Sequence, residues 1–412
     1  MLNSTLWKKG NNQEYAKESN RSLVLDIIWK MNAITRTDLS KITGLKQATI
    51  TNIVNDLLPL NLVEESGKIN NGKGRNQVEL EIVPHAFNVL AIRFTRKFFS
   101  IGVFDLRGNV IHHEISYFCA NDGFRKILTD IVNRCKGIIS ANKKIISVGV
   151  ALPGPIIKDG NKVTMKINFP DSNDVDIMQV LENKLNLPIS ITHDANAGLI
   201  AEFQYGLFSG SLSDYSTVLY IAAGQGNGCG MLLNREIFEG SIGTAGELGH
   251  TSICFDGPKC ECGNYGCLDK YCSTIVLSRM IDANIDRFPN TILKQGDSIE
   301  KIISAIINSD DLAVTIFKKM IFYLGIAVTN LINLYNPNII IFGDELSKTG
   351  DIMVDSINSV IKERIDSVIF DNTDIKISKL EGDSVLIGAS VLAIDYIFKR
   401  LATLQMVRNK FS

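Results

Sequence analysis

Three cysteines in one short loop form the clearest metal-binding pattern of the chain. Cys260, Cys262 and Cys267 are spaced i, i+2 and i+7 in a loop bent by glycines, and thiolates spaced in this way converge on one tetrahedral ion. His250 lies ten residues upstream and is the expected fourth ligand. The spacing leaves two other thiols open as alternative ligands, Cys254 and Cys272. Because four protein ligands leave no position for a catalytic water, we expect a structural Zn²⁺.

The cysteines as a group favour metal binding over disulfide formation. Four of the eight lie between residues 254 and 267, and such clustering is typical of metal sites. The amino-terminal segment is polar and lacks the apolar core of a secretion signal, so we expect reduced thiols in a cytoplasmic protein. We find no apolar run long enough to span a bilayer, and we therefore expect no membrane partner.

Two further segments carry groups that bind small polar ligands. Asp194 follows a predicted strand and opens a predicted helix, where its carboxylate is placed to accept a hydrogen bond or a proton from a ligand hydroxyl. The alternative is that Asp194 only caps this helix. The stretch from Ala223 to Gly230 alternates glycines after another predicted strand, which is typical of a phosphate-binding loop or, alternatively, of a tight hairpin.

The first 83 residues have the pattern of a DNA-binding unit. A capping-box-like start at Thr35-x-x-Asp38 predicts a helix that ends at Gly44, and another helix follows from Gln47 to about Leu58. The apolar positions of this second helix follow one face, which leaves short polar side chains suited to reading base edges on the other. Two helices joined by a tight turn form a helix-turn-helix. The alternative is a small helical bundle with a solvated polar face.

A basic loop follows these helices between two predicted strands. The segment from 66 to 78 contains Lys68, Lys73 and Arg75 and no acidic residue, as expected of a wing that contacts phosphates or the minor groove. The side chains that we expect to contact DNA are Arg36, Lys46, Gln47, Thr49, Thr51, Asn52, Lys73 and Arg75.

Composition and charge fit this division of the chain. The 412 residues contain 43 basic and 44 acidic side chains, and apolar residues make up 45%, a balance that excludes a disordered chain. The net charge of −1 hides an asymmetry, since residues 1–83 hold 11 basic and 9 acidic side chains and the remainder holds 32 and 35. A slightly basic DNA-binding unit thus precedes a slightly acidic domain.

Beyond Pro84 the pattern alternates predicted strands and helices, which indicates an α/β protein with mixed sheets. We expect a polar arm over 1–20, a winged helix-turn-helix over 21–83, and a two-lobed domain over 88–412 with the zinc site at 250–267. The alternative is one larger α/β domain after the DNA-binding unit.

Four motifs of the second domain together resemble the ROK family, which groups repressors, open reading frames and sugar kinases. They are Leu152–Ile156 (LPGPI), Asp194–Gly198 (DANAG), Gly246–His250 (GELGH) and Cys260–Cys267 (CECGNYGC). The approach to the last motif, Gly-Pro-Lys-Cys, resembles the family's xylose repressors, and the segment from Thr35 to Thr51 is similar to the winged-helix start of its repressors. The resemblance implies an actin-like, ATPase-type fold whose two lobes hold a sugar between them.

The resemblance also implies which residues bind the sugar. The positions assigned to sugar contacts are Gly154, Asn168, His193, Asp194, Glu247, His250 and Asp269. Two of these depart from the family's pattern, since His193 stands where asparagine is usual and Asp269 where glutamate is usual. Because imidazole has two ring nitrogens, His250 is expected to bind Zn²⁺ through one and a sugar hydroxyl through the other.

The phosphate loops of the family's kinases are altered in this chain. Arg93 replaces the acidic residue that would hold a magnesium ion, Thr95 replaces a glycine, and Gln225 replaces a threonine. Without its metal carboxylate the site cannot readily neutralise charge on a transferred phosphoryl group. We therefore expect no enzyme activity and assign no catalytic residue.

The sequence thus predicts a sugar-responsive transcriptional repressor. Its expected partners are operator DNA, a monosaccharide effector with xylose as a candidate, and further copies of the chain in a homodimer or dimer of dimers. One alternative is an ATP-dependent sugar kinase with an appended DNA-binding domain. Another is a DNA-binding protein whose sugar cleft has lost its ligand.

Overall fold

The amino-terminal unit consists of three helices followed by a hairpin. A computed structural model describes residues 13–69, 77–119, 122–160, 162–165, 172, 175–207 and 215–399 of the chain. The elements of the unit are α1 (Gln13–Met31), β1 (Ile34–Thr35), α2 (Arg36–Thr43), α3 (Gln47–Leu57), β2 (Val63–Ile69) and β3 (Gln77–Ile82). The three strands form one antiparallel sheet in the order β1-β3-β2. This order of helices and strands is compatible with the predicted winged helix-turn-helix, whose binding to DNA remains a prediction.

The turn between α2 and α3 follows from the residues at the ends of α2. The Thr35 side-chain oxygen accepts a hydrogen bond from the Asp38 backbone N–H at 3.2 Å, which caps the amino-terminal end. At the other end, Gly44 adopts a left-handed conformation (φ 70°), which a residue with a side chain adopts only at a cost. Both ends of α2 therefore lie where the sequence predicted them.

Helix α1 begins earlier than the sequence pattern predicted. Residues 13–20, expected to belong to the polar arm, are helical. The glutamine, glutamates, alanine and lysine of this stretch have high helix propensity, and Lys17 lies 3.9 Å from Asp56 on α3, which also pairs with Arg21. Helix propensity and ion pairs to a neighbouring helix thus extend α1 into residues that were predicted to form a polar arm.

Lobe I is built on a five-stranded mixed sheet. Its elements are β4 (Asn88–Phe94), β5 (Phe98–Asp105), β6 (Val110–Tyr117), α4 (Phe124–Ala141), β7 (Ile145–Leu152), β8 (Ile156–Asp159), β9 (Lys162–Met165), α5 (Ile177–Leu185), β10 (Ile189–His193) and α6 (Asp194–Tyr205). The strand order is β10-β7-β4-β5-β6. Strands β10, β7 and β4 are parallel to one another, β5 is antiparallel to β4, and β6 is antiparallel to β5. Strands β4 and β7 are buried along their whole length, so both faces of the sheet are covered.

Lobe II has a second five-stranded mixed sheet. Its elements are β11 (Thr217–Ala223), β12 (Asn227–Leu233), β13 (Glu236–Ile237), α7 (Thr274–Asp282), α8 (Ile299–Ile307), α9 (Asp311–Tyr335), β14 (Ile339–Gly343), α10 (Asp351–Lys362), α11 (Ser367–Asp371) and β15 (Asp374–Ile377). The strand order is β13-β12-β11-β14-β15, with β11, β14 and β15 parallel. Each lobe has its own apolar core, so the predicted two-lobed α/β fold with mixed sheets is confirmed.

A pair of helices joins the two lobes. Helix α6 packs on β11 and β12 of lobe II, whereas the last helix, α12 (Ser384–Phe398), packs on β4 and β7 of lobe I, and the two helices pack against each other. A Cβ atom on Gly388 of α12 would lie 1.7 Å from the carbonyl oxygen of Ala197 on α6, so only glycine fits at this crossing. The lobes thus meet at a helix pair in direct backbone contact.

Helix α9 corrects the expectation that no segment is long and apolar enough to span a bilayer. It has 25 residues and meets that criterion by length and composition, with 61% of its most apolar window buried inside the protein. Its side chains, among them Phe317 and Met320, pack in the core of lobe II with Leu219 and Phe342. Burial in the lobe accounts for the apolar character of this helix.

Candidate functional site

Six of the predicted sugar contacts line one cleft between the lobes. They are Gly154, His193, Asp194, Glu247, His250 and Asp269. The first three lie at or just after the ends of parallel strands β7 and β10 in lobe I, and the other three come from loops and short turns of lobe II. Asn168, like the predicted DNA contacts Lys73 and Arg75, lies outside the described residues. The structure therefore brings together every sugar-contact residue that it describes.

Asp194 is the first residue of α6, and its Oδ1 accepts a hydrogen bond from the Ala195 backbone N–H at 2.7 Å. The cap position is occupied by His193, whose side chain makes no capping hydrogen bond. The Asp194 carboxylate lines the cleft, with Oδ1 3.4 Å from His193 Nδ1. The Asp194 carboxylate thus supports the first turn of α6 and also lines the cleft, so its contact with a ligand hydroxyl remains a prediction.

Glu247 and His193 meet from opposite lobes because Gly154 has no side chain. His193 Nε2 lies 3.5 Å from Glu247 Oε1. A Cβ atom on Gly154 would lie 2.0 Å from Glu247 Oε1 and 2.5 Å from His193 Nε2, so any larger residue would separate this pair. Burial raises the pKa of the Glu247 carboxyl to about 7, while the nearby His193 opposes the shift.

Several buried polar atoms around the cleft have no hydrogen-bond partner within the described part of the protein. They are His193 Nδ1, Gln225 Oε1, Asn227 Oδ1 and Glu247 Oε1. Leaving such atoms unpaired costs about 1–3 kcal/mol each. Donors and acceptors supplied by a polar ligand or by water would satisfy them, which fits a cleft for a hydroxyl-rich molecule.

The glycine-rich stretch after β11 is a tight hairpin, as one of the two interpretations predicted. It connects the antiparallel strands β11 and β12, and the Gly224 backbone N–H donates to the Gly226 carbonyl at 3.0 Å. Asp269 holds this turn, because its Oδ1 accepts from the backbone and side-chain nitrogens of Asn227 at 2.9 and 3.0 Å. Burial raises the pKa of Asp269, while the hydrogen bond from Asn227 lowers it. The hairpin thus orients a carboxylate of the cleft.

Arg93 forms a buried ion-pair cluster at the base of the cleft. Its Nη2 donates to both carboxylate oxygens of Asp344 at 2.9 and 2.8 Å, and its Nη1 donates to Asp383 Oδ1 at 2.9 Å. Burial disfavours the charge of Arg93, but the two carboxylates outweigh burial and raise its pKa well above the ordinary value. A guanidinium therefore occupies the position for which the resemblance implies a metal-binding acid.

Sequence reasoning missed three residues at or next to this cluster, of which Asp344 and Arg96 line the cleft whereas Asp383 lies beside it. Asp344 and Asp383 were not assigned any role, and Arg96 also lines the cleft, where its charge lowers the pKa of Glu247 and Asp269. Arg96 could have been found as a second cation in the altered phosphate loop. The two aspartates are followed by ordinary helical segments and carry no such signal.

The predicted metal ligands cluster in space and could hold one ion. The ligand atoms of His250, Cys260, Cys262 and Cys267 all lie within 4.8 Å of one another. His250 Nδ1 is 3.7 Å from Cys260 Sγ, and Cys262 Sγ is 3.6 Å from Cys267 Sγ. Two sulfurs each about 2.3 Å from a tetrahedral ion would be about 3.7 Å apart, so the donor set fits.

The two alternative ligands lie outside this group. Cys254 Sγ contacts Asp256 Oδ1 at 3.1 Å, and Cys272 is fully buried in the core of lobe II. The structure therefore groups His250, and neither alternative cysteine, with the three cysteines of the loop, and metal binding by this group remains a prediction.

Helix α3 presents the polar surface that the sequence predicted. Its buried side chains are Ile50, Ile53, Val54 and Leu57. The exposed side chains among the expected DNA contacts are Lys46, Gln47, Thr51 and Asn52, while Thr49 is half-buried. Arg36 donates to Glu65 on β2 at 2.6 Å, so a contact with DNA would require it to exchange this partner. Base-reading by this surface remains a prediction.

Substitution of Glu247 by glutamine is expected to flatten the pH dependence of stability. The folded protein holds a proton on Glu247 with a pKa of about 7, against an ordinary value of 4.5. The stabilisation from this raised pKa is complete below pH 4.5 and is lost as the pH rises through 7, on the order of 3 kcal/mol in all. In thermal unfolding, the melting temperature of Glu247→Gln should decline less between pH 5 and pH 8 than that of the wild type. The exposed Glu182→Gln is the control, and parallel curves for Glu247→Gln and wild type would contradict this role of Glu247.

Comparisons with known proteins agree with this geometry. A sequence model of the ROK family matches residues 89–396. The chain is 29% identical over 392 residues to a xylose repressor of Caldicellulosiruptor bescii, covering 93% of this chain and 97% of that protein. It is 28% identical to the xylose repressor of Bacillus subtilis, again covering 93% and 97%. The DNA-binding transcriptional repressor Mlc of Escherichia coli is 24% identical, with 91% of this chain and 93% of that protein covered.

Solved structures show the same fold. A ROK family transcriptional regulator described as a homologue of the Escherichia coli MLC protein superposes with a TM-score of 0.77 at 25% identity, covering 96% of this chain and 99% of that chain. A ROK family glucokinase from Streptomyces griseus, in complex with glucose and AMPPNP, superposes with a TM-score of 0.66 at 23% identity, covering 74% and 99%. Since the family match spans more than half of the chain, this protein belongs to the ROK family.

Proposed function

We propose that this ROK protein is a sugar-responsive transcriptional repressor. The unit from 21 to 83 binds operator DNA, and the domain from 88 to 412 binds a monosaccharide. Xylose is the first candidate, because relatives named xylose repressors align over nearly the full length of the chain. The observation that carries the proposal is a helix-turn-helix and a polar cleft between two lobes in one chain.

The cleft supplies the groups that a monosaccharide needs. Asp194, Glu247 and Asp269 offer carboxylate oxygens that accept hydrogen bonds from hydroxyls, and His193 and His250 offer ring nitrogens. Contacts from both lobes favour a closed cleft. Sugar binding alters operator affinity only if the DNA-competent and DNA-incompetent states bind the sugar with different affinity.

We also propose that the group from His250 to Cys267 binds Zn²⁺ as a structural ion. Three thiolates and one imidazole are ligands typical of zinc. With zinc on one ring nitrogen, the other nitrogen of His250 is oriented toward the cleft that it lines. The ion would thereby fix a sugar contact without taking part in chemistry.

The same proposal excludes sugar phosphorylation. Arg93 is bound to two carboxylates, at the position for which the resemblance to the family's kinases implies a magnesium-binding acid. The protein acts in the cytoplasm, where its DNA partner lies, and as a homodimer or dimer of dimers, since operator half-sites are read by symmetric pairs.

A panel of pentoses and hexoses tests the proposal on the full-length, zinc-loaded protein. One sugar is expected to raise the melting temperature, and at concentrations above its Kd this increase should grow with the logarithm of the sugar concentration. The same sugar is expected to change operator affinity in gel shifts at least fivefold. Operator affinity that no binding sugar changes would contradict the proposal. Formation of ADP from ATP, magnesium and a sugar would favour the kinase alternative, and a melting temperature unmoved by every sugar would favour a cleft that has lost its ligand.

A further inference from the structure

The DNA-binding unit shares a core with lobe I around one tryptophan. Trp29, near the end of α1, is 1% exposed, and its Nε1 donates to the Leu106 carbonyl oxygen at 2.8 Å. Its ring packs edge-to-face on Phe398, with ring centroids 5.3 Å apart. Its backbone carbonyl accepts a hydrogen bond from Gln204 Nε2 at 3.4 Å. Trp29 is thus held by groups that all belong to the sugar-binding domain.

Two of these groups lie at the far ends of the helices that join the lobes. Gln204 belongs to the last turn of α6, whose first residue is Asp194 in the cleft. Phe398 is the last residue of α12. At about 1.5 Å per residue, each of these helices is roughly 20 Å long, which is the distance that separates its first residue from its contact with Trp29.

The helix pair connects the sheets of the two lobes, which are also joined by a backbone hydrogen bond from Lys158 to Ile242 and by the Lys158–Glu239 ion pair. Helix α6 packs on the sheet of lobe II and α12 on the sheet of lobe I. The crossing at Gly388 is too close for the helices to approach further, so opening and closing of the cleft is accommodated by sliding or rotation of one helix against the other. Trp29 touches both helices and is displaced by either motion.

Arg93 sets the position of α12 at the cleft end. Asp383 caps this helix by accepting from the backbone N–H groups of Val385 and Leu386 at 3.1 and 3.0 Å. Its Oδ1 also pairs with Arg93, which in turn holds Asp344 directly after β14 of lobe II. The first residues of α12 are therefore tied to both lobes by one buried guanidinium.

We propose that Trp29 is the positioning residue through which the state of the cleft reaches the DNA-binding unit, with the Arg93 cluster holding α12 at the opposite end. The inference rests on the proposed sugar response. Sugar drawn between the lobes shifts α6 against α12, and Trp29 carries that shift to α1 and hence to the helix-turn-helix.

Tryptophan fluorescence tests the Trp29 end of this link. The chain has two tryptophans, so Trp7→Phe leaves Trp29 as the single reporter in the full-length protein. Titration with the sugar found by thermal shift is expected to change Trp29 emission with a midpoint within about twofold of the sugar's Kd. Emission that stays constant while the same sugar raises the melting temperature would overturn the proposal.

Asp383→Asn tests the Arg93 cluster. It is preferred to a substitution of Arg93, which would leave the carboxylates of Asp344 and Asp383 without their cation. Asparagine keeps the helix cap, but the ion pair with Arg93 is lost. The factor by which sugar changes the operator Kd is expected to be at least fivefold smaller in Asp383→Asn than in the wild type. The Kd for the sugar itself is expected to differ from the wild-type value by less than threefold. Asp176→Asn is the matched control, because Asp176 caps α5 of the same lobe and has no ion pair among the described residues.

The outcomes separate this inference from the proposed function. A wild-type protein that binds sugar without changing operator affinity contradicts the proposed function. A wild-type protein that responds, together with an Asp383→Asn variant that responds equally, overturns the role of the Arg93 cluster.

Discussion

Replacing Cys262 with serine is expected to remove the bound metal and to weaken sugar binding at least tenfold, by about 1.4 kcal/mol. Cys262 Sγ lies 3.6 Å from Cys267 Sγ, and all four ligand atoms fit one tetrahedral ion. A serine hydroxyl is a poor replacement for a thiolate at zinc. Without the ion, the His250 ring is no longer held with one nitrogen toward the cleft. Loss of the metal therefore weakens the hydrogen bond between His250 and the sugar.

Elemental analysis and thermal shift measure both parts of this effect. The wild type is expected to hold one zinc per chain and Cys262→Ser close to none. Cys254→Ser is the control, since Cys254 lies in the same loop but outside the ligand group, and it should keep both zinc and sugar affinity. Zinc retained in Cys262→Ser, or lost in Cys254→Ser, would contradict the assignment of ligands.

Replacing Thr51 with glutamate is expected to lower operator affinity about 100-fold, or by about 2.7 kcal/mol. Thr51 is exposed on α3, and its hydroxyl donates to the Gln47 carbonyl at 2.9 Å. A carboxylate at this position would face the phosphates and base edges of a major groove entered by α3, and like charges at an interface cost several kcal/mol. Gel shifts with operator DNA at fixed salt measure the change.

Helix α4 offers a matched control for this substitution. Thr129 is also exposed in mid-helix, and its hydroxyl donates to the Arg125 carbonyl at 2.7 Å. Thr129→Glu therefore makes the same chemical change at the same kind of position in lobe I, and it should leave operator affinity and melting temperature near the wild-type values. Equal affinities for Thr51→Glu and the wild type would show that α3 does not enter the groove.

Features determined by neighbouring residues could be predicted from the sequence. The ends of α2 follow from Thr35 and Gly44, and the polar face of α3 follows from the spacing of its buried residues. The metal-ligand group was predictable for the same reason, since all four ligands lie between His250 and Cys267. Local spacing constrains local geometry, so little tertiary information was needed.

Features that depend on distant contacts could not be predicted in this way. Arg93 was recognised as a departure from the kinases, but its partners Asp344 and Asp383 are 251 and 290 residues away in sequence. Whether Asp194 caps α6 depends on the backbone conformation at His193, which the residue types leave open. The extent of α1 depended in part on ion pairs with Asp56 on another helix.

The burial of Trp29 limits how readily the amino-terminal unit can be separated from lobe I or fused to another protein. A cut at Pro84 would expose the indole on one fragment and Phe398 on the other, together with their apolar neighbours. A chimaera that transplants this DNA-binding unit onto another ROK sensor therefore needs a recipient whose final helix ends in an aromatic residue at the corresponding place. New operator specificity is more readily acquired by substitutions on the exposed face of α3, which leave that shared core untouched.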